Sequence, residues 1–234
     1  MKTPDSIRQV FSPLTQDVIY FDSGASTLTP GPVLEVMNTY YTQYRSNIHR
    51  GIYSWSQQAT DAYESARIKV AQFMGANKTE EIIFTRGTTD GINMLSELLQ
   101  DRFEEGQNII IPVTEHHSNM LPWRELARRQ QLEIRYIGLK GEILDEAALL
   151  SAIDENTALV VIGYISNVLG TIHDVKKISD KAHTVGALCI VDGAQAMAHM
   201  SVSVQELGID AYVFSGHKVY GPTGVGVLWV QYPL

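Results

Sequence analysis

Cysteine is almost missing: Cys189 is the only one in 234 residues, which excludes an internal disulfide framework. No pair of Cys or His residues stands at zinc-site spacing, so a structural metal scaffold is not indicated. No stretch reaches the ~18 consecutive apolar residues of a membrane span. The N-terminal MKTPDSIRQVFSPL lacks the apolar centre of a signal peptide, and a cytoplasmic location is the expectation. Positive charge is scarce: 18 Lys and Arg stand against 26 Asp and Glu, for a net charge of -8. That balance argues against nucleic-acid or anionic-membrane partners and leaves room for a local basic pocket around one phosphate. A Walker loop, an internal repeat and a low-complexity linker are all absent. A small-molecule ligand is the class these absences favour.

What is present is the composition of a globular chain, 44% hydrophobic and 19% charged, enough for a sizeable core in one or two domains. Seven short apolar runs read as strands: EIIFT (81–85), NIIIPV (108–113), LEIRYI (132–137), ALVVIGY (158–164), LCIVD (188–192), AYVFS (211–215) and GVLWV (226–230). Most are continuous, as in parallel strands covered on both faces. Helical patterns such as TDGINMLSELLQDRF, NMLPWRELARRQQ, DEAALLSAI and VKKISDKAHTVG lie between the first five, so the class is α/β. Two longer amphipathic helices precede them, PVLEVMNTYYTQYRS and SQQATDAYESARIKVAQFMG, the second stopped by Gly75.

In such sheets ligands bind beyond the carboxyl ends of the strands, and five strand ends carry polar clusters: RGTTDG, TEHHSN, ISNVLGT, DGAQ and SGHK. In the first, Thr88 and Thr89 open a helix whose free amides suit an anion, or they simply cap it. In the second, adjacent His116 and His117 lack metal-site spacing, so an imidazole that stacks on a flat ligand or carries a proton competes with a structural role. Asn167 is placed to fix a ligand hydroxyl or to make a turn. Asp192 ends an apolar strand, where a carboxylate needs a cation or donor. Lys218, three residues past Ser215, is a phosphate-binding point charge, a Schiff-base lysine or a solvated turn residue. One ligand would satisfy all five clusters: a flat anionic aldehyde with its phosphate on a helix start, its ring nitrogen on a carboxylate, one face stacked and its carbonyl at a lysine. That ligand is pyridoxal 5'-phosphate.

NIHRG, RGTTDGIN, EHHSNMLPW, SNVLGT, VDGAQA and SGHKVYGPTGVG occur in the order and approximate spacing of one family. From about Tyr20 the chain resembles the first part of a class V aminotransferase-type, fold type I pyridoxal phosphate enzyme, and within that group the cysteine desulfurase/selenocysteine lyase family. The resemblance implies a mostly parallel seven-stranded sheet flanked by helices, with residues 1–20 as an N-terminal segment and 21–234 as the cofactor-binding large domain. It implies Lys218 as the residue that carries the cofactor, Asp192 at the pyridine nitrogen and His116 stacked on the ring. Thr88, Thr89, Ser215 and His217 match phosphate-side contacts, and Asn167 and Gln195 match residues near the phenolic oxygen. A homodimer acting on cysteine or selenocysteine is implied, with sulfur passed as a persulfide to an acceptor protein for iron–sulfur cluster assembly or sulfur metabolism.

Two parts of the family pattern are not found in these residues: a loop cysteine well past the cofactor lysine and a substrate-carboxylate arginine in a C-terminal small domain. The expectation is therefore a truncated chain carrying the cofactor half. The alternatives are another class V enzyme and a non-catalytic cofactor-binding module. Cys189 lies inside an apolar strand three residues before Asp192, on the opposite face from it by strand alternation, and is expected to be a core residue. DSGAS, which in the family lines the pocket, departs from the more usual family pattern. An apolar face over residues 31–44 is expected to lie exposed.

Overall fold

The computed structural model describes residues 3–15 and 18–233. Met1, Lys2, Gln16, Asp17 and Leu234 lie outside the described residues, so the expected N-terminal segment 1–20 is covered only in part. In chain order the helices are α1 (Pro4–Arg8), α2 (Gly31–Thr39), α3 (Ser54–Met74), α4 (Thr88–Leu98), α5 (Leu121–Gln130), α6 (Glu146–Ala152), α7 (Val175–His183) and α8 (Val204–Leu207). The strands are β1 (Ile82–Thr85), β2 (Asn108–Pro112), β3 (Glu133–Ile137), a small hairpin of β4 (Leu139–Lys140) and β5 (Ile143–Leu144), β6 (Thr157–Gly163), β7 (Leu188–Asp192), β8 (Ala211–Ser215) and β9 (Gly226–Val230).

Each apolar run read as a strand is a strand of one seven-stranded sheet, in the order β1-β9-β8-β7-β6-β2-β3. The pairs from β3 through β2, β6 and β7 to β8 are parallel, while β9 runs antiparallel to both β8 and β1. The reversal has a simple cause: residues 216–225 between β8 and β9 are fewer than the dozen or so that a parallel crossover needs. The short β4–β5 hairpin was not foreseen, because two-residue strands leave no periodic pattern to read.

Both sheet faces are covered, which is why the central strands are continuously apolar. One face buries Ile110, Val160, Ile162, Cys189, Val191 and Tyr212 against helices that include α6 and α7. The other buries Ile109, Ile111, Leu159, Val161, Ile190 and Val213 against Ile92 and Leu95 of α4 and Trp123 and Leu126 of α5. Neighbouring residues alternate between the two clusters, as the twofold period of a strand requires.

Long α3 stops where expected, at Gly75 with φ of 65°, the left-handed position glycine takes without steric cost. By contrast α2 buries none of its residues and passes into a π-turn over Tyr40–Tyr44. The apolar side of residues 31–44 is open as expected, with Val36 64% and Tyr41 61% exposed. Among the described residues no helix is long and apolar enough to cross a membrane.

Candidate active site

Because β1, β2, β6, β7 and β8 share one direction, their carboxyl ends meet along one edge of the sheet, and a cavity of about 600 Å³ opens there. Thr88, Thr89, His116, Asn167, Asp192, Gln195, Ser215, His217 and Lys218 all line it. Residues separated by up to 130 positions are thus gathered by topology, at the size usual for a small-ligand site.

Asp192 is the last residue of β7 and is 8% exposed. Its Oδ1 accepts from the Ala194 amide at 2.9 Å. Burial pushes its carboxyl above the usual range, against the pull of that hydrogen bond and of Lys218 and His116. Gly193 lets the chain turn here: a Cβ on it would fall 1.8 Å from Cζ of Tyr212, so the backbone lies directly on that ring. Lys218 follows β8 on a single 3-10 turn, Gly216–Lys218. Its ammonium has no hydrogen bond or ion pair among the described residues, although it bears electrostatically on Asp192.

The amino end of α4 faces the same cavity. The Thr88 amide donates to Ser215 Oγ at 2.8 Å, and the Thr88 hydroxyl pairs with the same oxygen at 2.8 Å. Thr88 and Ser215 therefore form one buried unit, and the next amides of the helix start lack intrahelical acceptors. Gly226 permits the tight approach behind this turn, since a Cβ there would sit 2.5 Å from Cα of Gly87. His217 is part-buried, with Nδ1 at 3.3 Å from Ser26 Oγ. Burial first and then Lys218 lower its basicity.

His116 caps a 3-10 turn, His117–Asn119. Its Nδ1 accepts from the Ser118 amide at 3.1 Å and lies 2.7 Å from Ser118 Oγ, so the neutral ring carries its proton on Nε2. Asn167 is exposed on a turn after β6 that is closed by Ser166, whose Oγ accepts from the Leu169 amide at 3.2 Å. Gln195 reaches the cavity wall, but its Nε2 donates to the Gly24 carbonyl at 2.8 Å.

Three parts of the site were not anticipated. Thr27, directly after the DSGAS stretch, clasps the lysine loop: its N and Oγ1 donate to the His217 carbonyl at 2.8 and 2.9 Å, and the Tyr220 amide donates to Thr27 Oγ1 at 2.8 Å. Asp22, Gly24 and Ala25 of DSGAS line the cavity, as the family resemblance implied, with Phe21 beside them. Glu115, beside His116, takes the Gly163 amide at 2.8 Å and Asn119 Nδ2 at 2.6 Å. Its residue surface is partly open to the cavity, yet its carboxyl is enclosed by protein, and burial pushes it up to about 7. The Thr114 hydroxyl, also in the wall, is buried without a partner among the described residues. Cys189, as expected, is fully buried in the opposite core cluster, with its thiol pushed up to about 12 by burial.

Comparison with known proteins agrees with this architecture. A probable cysteine desulfurase of Halalkalibacterium halodurans is 44% identical over 230 residues, covering 95% of this chain and 57% of that protein. One from Pyrococcus abyssi is 42% identical over 232 residues, covering 99% of this chain and 57% of its own length. The apo cysteine desulfurase of Thermococcus onnurineus NA1 superposes with a TM-score of 0.93 at 42% identity, over 99% of this chain and 58% of that one. The chain thus spans a little over half the length of the relatives it matches, and its sheet is the large-domain sheet of fold type I. The Aminotransferase class-V family matches residues 19–234, and this chain belongs to that family.

Proposed function

We propose that residues 21–234 are the cofactor-binding large domain of a pyridoxal phosphate-dependent cysteine desulfurase. The observation that carries the reading is the meeting of a buried, uncompensated Asp192 carboxylate, an unpaired Lys218 ammonium and the α4 amino end around one cavity. These groups fit the cofactor. Asp192 has a single backbone donor and wants a cationic N–H, such as a protonated ring nitrogen. Thr114 adds an unpaired buried hydroxyl in the wall. Thr88, Thr89, Ser215 and His217 would hold the phosphate, Lys218 would hold the group covalently through Nζ, and His116 would cover one ring face. Asn167 and Gln195 would stand at the phenolic oxygen, Gln195 after giving up or sharing its bond to Gly24.

When bound, the group supplies an electron sink for the pair left at the substrate α-carbon. The chain's own residues do the rest. Lys218 Nζ takes and returns the α-proton, Asp192 keeps its partner N–H charged, and His116 excludes water from the covered face. Sulfur removal then needs a thiolate that attacks substrate Sγ: the Cβ–S bond breaks, sulfur leaves on the attacking thiol as a persulfide, Cβ gains a proton and alanine is released. Cys189 does not supply that thiolate, being buried on the far face of the sheet with a raised pKa. A thiol outside these residues is part of the proposal, as are a homodimer and a sulfur-acceptor protein.

Reconstituting the chain with pyridoxal phosphate tests the reading. A visible absorption band that borohydride fixes onto Lys218 is expected, and folded protein without such a band would defeat it. A whole protein that binds the cofactor but forms no alanine or persulfide from cysteine would leave the cofactor site standing and overturn desulfuration.

A further inference from the structure

His116 sits on a turn outside the sheet, so something other than strand pairing must set the height of its ring above the cavity floor. The residue before it makes that connection. Glu115 Oε1 accepts from the Gly163 amide at 2.8 Å, at the end of β6, where Gly163 is the register partner of Asp192. Glu115 Oε2 accepts from Asn119 Nδ2 at 2.6 Å. Asn119 is fully buried, its Oδ1 accepts from the indole of Trp123 in α5 at 3.2 Å, and its amide donates to the His116 carbonyl at 2.8 Å. A continuous polar line thus runs from α5 through the His116 turn to the strand beside Asp192.

Direction along this line is determined at both ends. The Trp123 indole can only donate, so Asn119 must turn its oxygen to it and its NH₂ to Glu115. Gly163 N–H can only donate as well. The residue between must therefore accept at both oxygens, which the ionised Glu115 carboxylate does above about pH 7 and a carboxamide does not.

We propose that Glu115 is a positioning residue for His116, bracing the imidazole's turn against β6 and α5 so that the ring is held over the cavity floor. The proposal rests on the functional reading above only for what His116 covers. Its geometry stands without the cofactor.

The discriminating substitution is E115Q, which keeps the shape and removes one acceptor. In the ligand-free chain carrying ¹⁵N-labelled histidine, the His116 ring signals, assigned with H116Q, are expected as a single set in the wild type and as broadened or multiple sets in E115Q. The double variant E115Q/N119D moves the carboxylate one step along the line: the introduced carboxamide donates to the introduced carboxylate, which still accepts from Trp123. It is expected to restore the single set. After loading with pyridoxal phosphate, E115Q is expected to bind about tenfold more weakly and with reduced visible circular dichroism, and the double variant to recover both. Wild-type His116 signals in E115Q, or a double variant as heterogeneous as the single one, would overturn the brace. A wild-type chain with no visible band would instead overturn the cofactor reading, with the ring signals still deciding the role of Glu115.

Discussion

At the scale of single residues, the strongest pull toward a ligand comes from charge left without a partner. Asp192 has one backbone donor in a buried setting, so replacing it with Asn should remove a charge-assisted contact worth ~1.5–3 kcal/mol. Asp192→Asn is therefore expected to weaken pyridoxal phosphate binding by about ten- to a hundredfold, read by titrating the visible band. Lys218→Ala should abolish the borohydride-fixed label altogether while leaving the fold intact, since no hydrogen bond or ion pair holds the ammonium among the described residues. Both residues stood out in the sequence because a polar side chain directly after an apolar strand must be explained. Glu115 did not. It carries no local signal beside two histidines, and only the 3-10 turn that follows brings Asn119 to its carboxyl.

At the scale of elements, a close backbone approach holds the α4 end of the site in place, and one ion pair ties together the far, amino-terminal side of the sheet. Gly226 lets β9 pass within contact of Gly87, so Gly226→Ala would drive a Cβ to 2.5 Å from Cα of Gly87 and 2.7 Å from the Phe214 carbonyl. Backbone atoms cannot yield as a flexible side chain would, and a loss of ~1–3 kcal/mol is expected, seen as a lower Tm together with weaker binding at the displaced α4 amino end. Asp154 ties the start of β6 to β3 and β2, meeting Arg135 Nη1 at 2.5 Å and Asn108 Nδ2 at 3.1 Å. Arg135 foremost holds its carboxyl down from 3.8 to about 2. A carboxyl lowered by folding stabilises the native state above its unfolded value and loses that contribution as the pH falls through its folded one. Asp154→Asn should thus be less stable than wild type at neutral pH, by no more than ~1 kcal/mol for so solvent-screened a pair. The gap should close as pH falls from 3.8 toward about 2 in chemical denaturation curves. Strand positions were readable from apolar runs, but the reversal of β9 was not, because an apolar strand looks the same in either direction and only the short 216–225 connection argues for it.

At the scale of the molecule, a well-covered sheet coexists with an uncovered N-terminal face. Val36 is 64% and Tyr41 61% exposed and no residue of α2 is buried, the kind of apolar surface that marks an interaction site. Self-association is the expected result, with sedimentation giving a mass above the 26.0 kDa of one chain. Val36→Glu should shift the distribution toward that single-chain mass without altering cofactor binding, because α2 does not line the cavity. An unchanged distribution would remove this face from the proposed homodimer.

The seven apolar runs, the α/β alternation and the polar residues at five strand ends were determined by the sequence alone, because burial on two faces and the switch to water at a strand's end both leave a local mark in residue type. That the nine flagged residues share one cavity, that the Gly24–Thr27 stretch clasps the Lys218 loop and that Glu115 braces His116 were decided only by the tertiary structure. Hydrogen bonds between residues as far apart as Thr27 and His217 depend on strand order and side-chain direction, and neither is written in the local pattern of the chain.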